Sequence, residues 1–123
     1  MTIKKYDIEE RLIDFSVNII TFIEKLPNTK SAHHLGNQLL RSGTSPALNY
    51  GEAKSAESKN DFIHKMKICL KELRETYVCL KIMERVKDFK NEDQIKQLIN
   101  ESNELISIFV KSVETAQMKQ VKH

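Results

Sequence analysis

Apolar residues recur along this chain in alternating steps of four and three, in four separate stretches. The first holds Ile8, Leu12, Phe15, Ile19, Phe22 and Leu26. The second holds Ala32, Leu35 and Leu39 and resumes with Tyr50, Ala53 and Ala56 or Glu57. The third runs Phe62, Met66, Cys69, Leu73, Thr76, Leu80, Met83, and the fourth Ile95, Leu98, Ser102, Leu105, Phe109, Val113, Ala116. Such spacing keeps side chains on one face of an α-helix. With only 3 Gly and 2 Pro in 123 residues, the chain lacks the turns of a sheet-rich domain. An apolar share of 40% is enough for a core and argues against disorder.

Helix boundaries are marked locally. Asp7 with Glu10, Ser58 with Asp61, and Asn91 with Gln94 have capping spacing, and Pro27 ends the first segment near Leu26. The second segment starts near Thr29 and reaches about Glu57. Pro46 lies inside it, where a proline removes a backbone donor and its ring crowds the preceding turn. A kink or short break is therefore expected near Gly43–Pro46, with Ser45 as a new cap. The third segment runs from Ser58 to about Lys87 and the fourth from Asn91 to about Lys119. The links Pro27-Asn28 and Asp88-Phe89-Lys90 are short, as is the turn at Ser55–Lys59, so neighbouring helices are antiparallel. The expected fold is all-α: an up-down-up-down four-helix bundle forming one domain over residues 1–119, with a loose tail at 120–123.

No apolar h-region follows the lysines of the N-terminus, and the longest apolar run, Tyr77-Val-Cys-Leu80, is far short of the roughly 20 residues that span a bilayer. Cys69 and Cys79 lie ~15 Å apart along one helix, beyond the about 7 Å limit of a disulfide. Two reduced thiols in a cytoplasmic protein are expected. Di-iron bundles need two Glu-x-x-His pairs, and here a single Asp61-x-x-His64 sits at a helix start. His33 and His34 diverge by about 100° on a helix. No arginine is followed by a histidine at the four-to-six spacing of some bundle-type ribonucleases, and no Gly-rich phosphate loop occurs. The chain is read as a non-enzyme without metal or cofactor.

Charge is more informative. From Ser58 to Lys90, nine Lys and Arg face five Asp and Glu, a net of +4; from Asn91 to Ala116, two face five, a net of −3. The overall +3 hides a basic third helix and an acidic fourth. Lys67, Lys71, Arg74, Lys81 and Arg85 share one stripe of ~27 Å, interrupted at Val78. That stripe suits a phosphate backbone of RNA or DNA with little sequence selectivity, since no stacking aromatics interleave with it. It equally suits a solvated face paired with the acidic helix of the same or another subunit. Arg41, Asn49, Glu52, Glu72 and Glu75 sit close to the seams and suit an interhelical polar network rather than catalysis. Ile13, Ile20, Ile63, Leu70, Val78, Ile82, Ile99, Ile106 and Val110 exceed what one seam needs, which fits either a wide core face or self-association.

Two stretches carry a resemblance: Leu39–Ala53 (LLRSGTSPALNYGEA) and Asp61–Met83 (DFIHKMKICLKELRETYVCLKIM). Together they resemble the four-helix-bundle family of proteins encoded in intervening sequences of bacterial 23S ribosomal RNA genes. The resemblance implies a bacterial cytoplasmic protein that forms a ring-like homopentamer. It also implies relatives that serve diversity-generating retroelements, engaging a reverse transcriptase and nucleic acid through a basic surface. It brings no catalytic residue; the family name records gene location in some members. The first reading is a homo-oligomeric bundle associating with RNA or a ribonucleoprotein. The second is a protein-binding scaffold whose charged stripes are buried between subunits.

Overall fold

The computed structural model describes residues 7–87, 89 and 92–121, and the side chains of all but the last two. Four helices occupy them: α1 (Ile8–Ile23), α2 (Lys30–Lys54), α3 (Lys59–Glu84) and α4 (Glu92–Val121). Among the described residues there is no strand. Three N-termini are capped by a side chain of an extended residue. Asp7 accepts from the Glu9 N–H at 3.0 Å, Thr29 from Ala32 at 3.1 Å and Ser58 from Asp61 at 3.0 Å. Each satisfies a donor that has no partner within the helix. The expected cap Asn91, the link residues Asp88 and Lys90, and the segment before Asp7 lie outside the described residues.

α1 ends at Ile23, earlier than Leu26. Lys25 and Leu26 donate instead to Phe22 and Ile23, at 3.1 and 3.0 Å, in a tightened last turn. The cause is Pro27, which disfavours helical backbone in the residue before it. α3 closes similarly, with Arg85 donating to Ile82 and Val86 to Met83. α4 includes residues 120 and 121, which the sequence places in a loose tail; residues 122 and 123 lie outside the described residues.

The break considered near Gly43–Pro46 does not occur: α2 runs through Pro46 as a single helix. Packing outweighs the lost hydrogen bond. Ser42, Gly43 and Pro46 are all buried. Gly43 has no side chain, and a Cβ there would stand 2.9 Å from Ile19 Cγ2, so α2 lies directly against α1. On the next face, the Pro46 carbonyl accepts from Cys69 Sγ at 3.5 Å.

α1 and α3 each pack on α2 and α4, and neither diagonal pair approaches, so the helices stand at the corners of a square. Glu9 meets Lys54 and Ile19 meets Gly43, so α1 and α2 are antiparallel. Arg41 meets Glu72 and Glu52 meets Lys65, which makes α2 and α3 antiparallel as well. The centre is filled by the four stripes: Leu12, Phe15, Ile19 and Phe22 from α1, Leu39 from α2, Leu73, Leu80 and Met83 from α3, and Ile95, Leu105 and Phe109 from α4. Each such side chain contributes roughly 1.5–3 kcal/mol by leaving water. Tyr50 and Phe109 meet edge to face at 5.9 Å. Phe89, in the α3–α4 link, is buried too and closes one end of the core.

The surplus apolar residues divide between core and surface. Ile63 and Ile99 are buried, Leu70, Ile106 and Val110 are half-buried, and Ile13, Ile20, Val78 and Ile82 are between 42% and 56% exposed, as is Val17 of α1.

Candidate nucleic-acid interface

The two faces of α3 differ in chemistry. The inward face carries Ile63, Met66, Cys69, Leu73, Thr76, Leu80 and Met83, all buried. The helical period turns Lys67, Lys71, Arg74 and Arg85 outward, and all four are exposed. From Lys67 to Arg85 they span ~27 Å of helix axis. None of the four forms a salt bridge among the described residues. Lys81 differs: it is 37% exposed and paired with Glu84 at 3.3 Å. Val78 and Ile82 lie in the same face, exposed.

No ion pair among the described residues links these cations to α4, although α4 is acidic. Two acids of α4 are taken up by α1 instead. Arg11 of α1 donates to Glu101 through Nε and Nη2 at 2.6 and 2.7 Å, and through Nη2 to Glu104 at 2.7 Å. The Arg11 side chain is 13% exposed, and its pKa is raised above the ordinary guanidinium value, chiefly by the Glu101 hydrogen bonds. The sequence reading missed this clamp. Only its Arg and Glu identities were visible, because its partners lie 90 residues apart.

The expected polar network separates into parts. Arg41 donates to Glu72 at 2.7 Å, to Glu75, and to Gln38 at 3.3 Å. With Arg41 51% exposed and Glu72 13%, this clamp lies on the rim of the α2–α3 seam rather than inside it. Glu52 joins a different partner, Lys65, at 2.7 Å, and that hydrogen bond raises the lysine pKa. Asn49 stays within its own helix, donating to Ser45 Oγ at 2.8 Å and to the Ser45 carbonyl at 3.0 Å. Inside the same seam, Thr76 and Ser42 hydrogen-bond through their hydroxyls at 2.9 Å, both completely buried.

Chemistry of other kinds finds little to work with. Cys69 and Cys79 are buried, and burial pushes their thiols up to about 12 and about 11, which keeps them protonated and poor nucleophiles at neutral pH. Asp61 belongs to the α3 cap and His64 is exposed. Among the described residues no group of three or more His, Cys, Asp or Glu is placed to hold a metal ion, and no helix is long and apolar enough to cross a membrane.

Comparison with known proteins places this architecture. The family described as 23S rRNA-intervening sequence protein matches residues 4–111. A crystal structure of a protein of unknown function from the S23 ribosomal protein family, from Bacteroides thetaiotaomicron VPI-5482, is similar at 31% identity. The likeness covers 87% of this chain and 98% of that one, with a TM-score of 0.80. No curated protein matches.

Proposed function

The chain belongs to the 23S rRNA-intervening sequence protein family, and from that premise we propose that it works without catalysis, as a self-assembling helical bundle that binds the backbone of RNA or DNA through the outer face of α3. The observation that carries this reading is the row Lys67, Lys71, Arg74 and Arg85, exposed and without a salt bridge among the described residues. Like charges held along one rigid face repel each other, and a polyanion removes that repulsion while releasing its own counterions. A helix displays the first three at intervals of roughly 5–6 Å and Arg85 roughly 16 Å further along, a spacing that a flexible single strand can follow. With no aromatic platform in the row, binding is governed by phosphates and is weakly selective for sequence. The ring-like homopentamer implied by the resemblance belongs to the same proposal, supported by the apolar residues left in solvent on α1.

The test is retention of a single-stranded RNA and of a duplex on a filter across a salt series. Four phosphate contacts predict an affinity that falls about fiftyfold for the single strand and about 150-fold for the duplex between 50 and 200 mM salt. No retention at 50 mM removes the nucleic-acid reading. A second reading, in which the α3 face is buried between subunits, is favoured by the exposure of Val78 and Ile82 within that face. It predicts no retention, and dissociation of the assembly when Arg74 is replaced by Glu.

A further inference from the structure

Two surfaces outside the α3 row are complementary in shape, polarity and charge. The first is the outer ridge of α1. Ile13, Val17 and Ile20 are 42%, 52% and 43% exposed at helical spacing, facing away from the bundle. Exposed Glu10, Asp14 and Glu24 stand beside them. The only cation between Glu10 and Glu24 is Arg11, which is held by Glu101 and Glu104 of α4. The antiparallel pairing of α1 and α2 brings Leu48 within one turn of the level of Ile13 and Leu40 within one turn of that of Ile20; these two leucines are 68% and 41% exposed.

The second surface is a groove of about 780 Å³ at the opposite corner, where the end of α2, the start of α3 and the end of α4 converge. Ala53, Phe62, Ile63, Ile108 and Ala116 give it an apolar lining. Lys59, Lys111 and Lys119 rim it, with no salt bridge among the described residues; Lys54, also on the rim, is bonded to Glu9, and Glu57 is the one acid. It is open because small side chains, Ala53, Ala56, Ser112 and Ala116, stand where bulky ones would close the gap.

We infer that copies of this chain join through these two different faces, the apolar-acidic ridge of α1 on one copy lying in the apolar, lysine-rimmed groove of the next. This rests on the self-assembly part of the proposed function and is independent of nucleic-acid binding. Ridge against ridge would oppose Glu10, Asp14 and Glu24 to the same acids, so a two-fold pairing of this surface is disfavoured, whereas ridge in groove matches apolar to apolar and acid to lysine. A ridge cannot reach the groove of its own chain, because it faces away from the bundle. The contact is therefore heterologous, and its repetition closes into a ring or runs on as a filament. The α3 row from Lys67 to Arg85 lies outside the contact and stays open to a polyanion.

The experiment uses two variants of the whole chain, Val17→Glu on the ridge and Lys111→Glu with Lys119→Glu on the groove. All three positions are on the surface, one exposed apolar and two exposed cations, and circular dichroism melting checks that both variants remain folded. Sedimentation velocity should show an assembled wild type and two monomeric variants, each weakened at least tenfold in association. An equimolar mixture should then give a species of two subunits and no larger one, since the groove of one variant accepts the ridge of the other and both remaining faces are disabled. Variants that stay fully assembled, or a mixture that stays monomeric, overturn the face assignment while leaving self-assembly standing. A wild type that is monomeric at 100 µM removes self-assembly and this inference together.

Discussion

On the α1–α4 side of the bundle, Arg11 is enclosed by two carboxylates, with three hydrogen bonds between 2.6 and 2.7 Å. On the outer face of α3, Lys67, Lys71, Arg74 and Arg85 stand in solvent without a salt bridge among the described residues. The residue types are the same and the consequences differ. The α1–α4 side is the loosest of the four, and a long, forked guanidinium reaches across it where shorter apolar side chains would leave a gap. There the charge is spent on holding two helices together. On α3 the four cations form no salt bridge among the described residues, which leaves them open to the polyanion proposed above.

This contrast can be broken at either side. The largest effect is expected from Lys67→Glu, Lys71→Glu and Arg74→Glu combined. RNA retention at 50 mM salt should drop by about a hundredfold or more, while the urea midpoint of unfolding stays nearly constant, because no salt bridge among the described residues is lost. A large loss of stability in that variant would mean that the row has a structural partner after all. Next comes Arg11→Ala. It leaves Glu101, 29% exposed, and Glu104, 67% exposed, facing each other without a cation. That should cost about 2 kcal/mol in urea unfolding, between the values for exposed and buried pairs, with RNA binding unchanged. Arg11→Lys should recover part of the loss, since a lysine cannot donate in a fork. The smallest effect is expected from Glu84→Gln. It releases Lys81 from its 3.3 Å pairing and adds a fifth cation to the row, so affinity should rise about threefold, with a slightly steeper salt dependence.

Periodicity and caps were legible in the sequence because both depend on residues three or four apart. The stripes of α1, α3 and α4 are the buried faces, and Asp7, Thr29 and Ser58 begin their helices as the local pattern suggests. What stayed hidden depends on distant partners. Lys65 chooses Glu52, 13 residues away, and Arg11 chooses acids at the far end of the chain. Pro46 reads locally as a helix breaker, yet it is carried through by burial against α3 and by the absence of a side chain at Gly43 facing Ile19. Phe89 reads as part of a link and is instead core. The cations of α3 could be placed on one face from spacing alone, but that Glu101 and Glu104 of α4 are bonded to α1 rather than to them could be seen only in the fold.

The pair of hydroxyls between Ser42 and Thr76 bears on how many folded states this chain has. Aliphatic seams are forgiving. Leucines and methionines fit almost as well after one helix slides along another by a single turn, about 5.4 Å. Such a slip would carry Ser42 and Thr76 past each other in the driest part of the α2–α3 contact. Thr76 would keep the Glu72 carbonyl of its own helix, while Ser42 would lose its partner across the seam and fall back on a carbonyl of its own turn. The lost cross-seam hydrogen bond, worth about 1 kcal/mol, is modest beside the whole core. The loss falls only on the misaligned state. Two small polar side chains thus act as a detent, marking one register along a seam that is otherwise permissive.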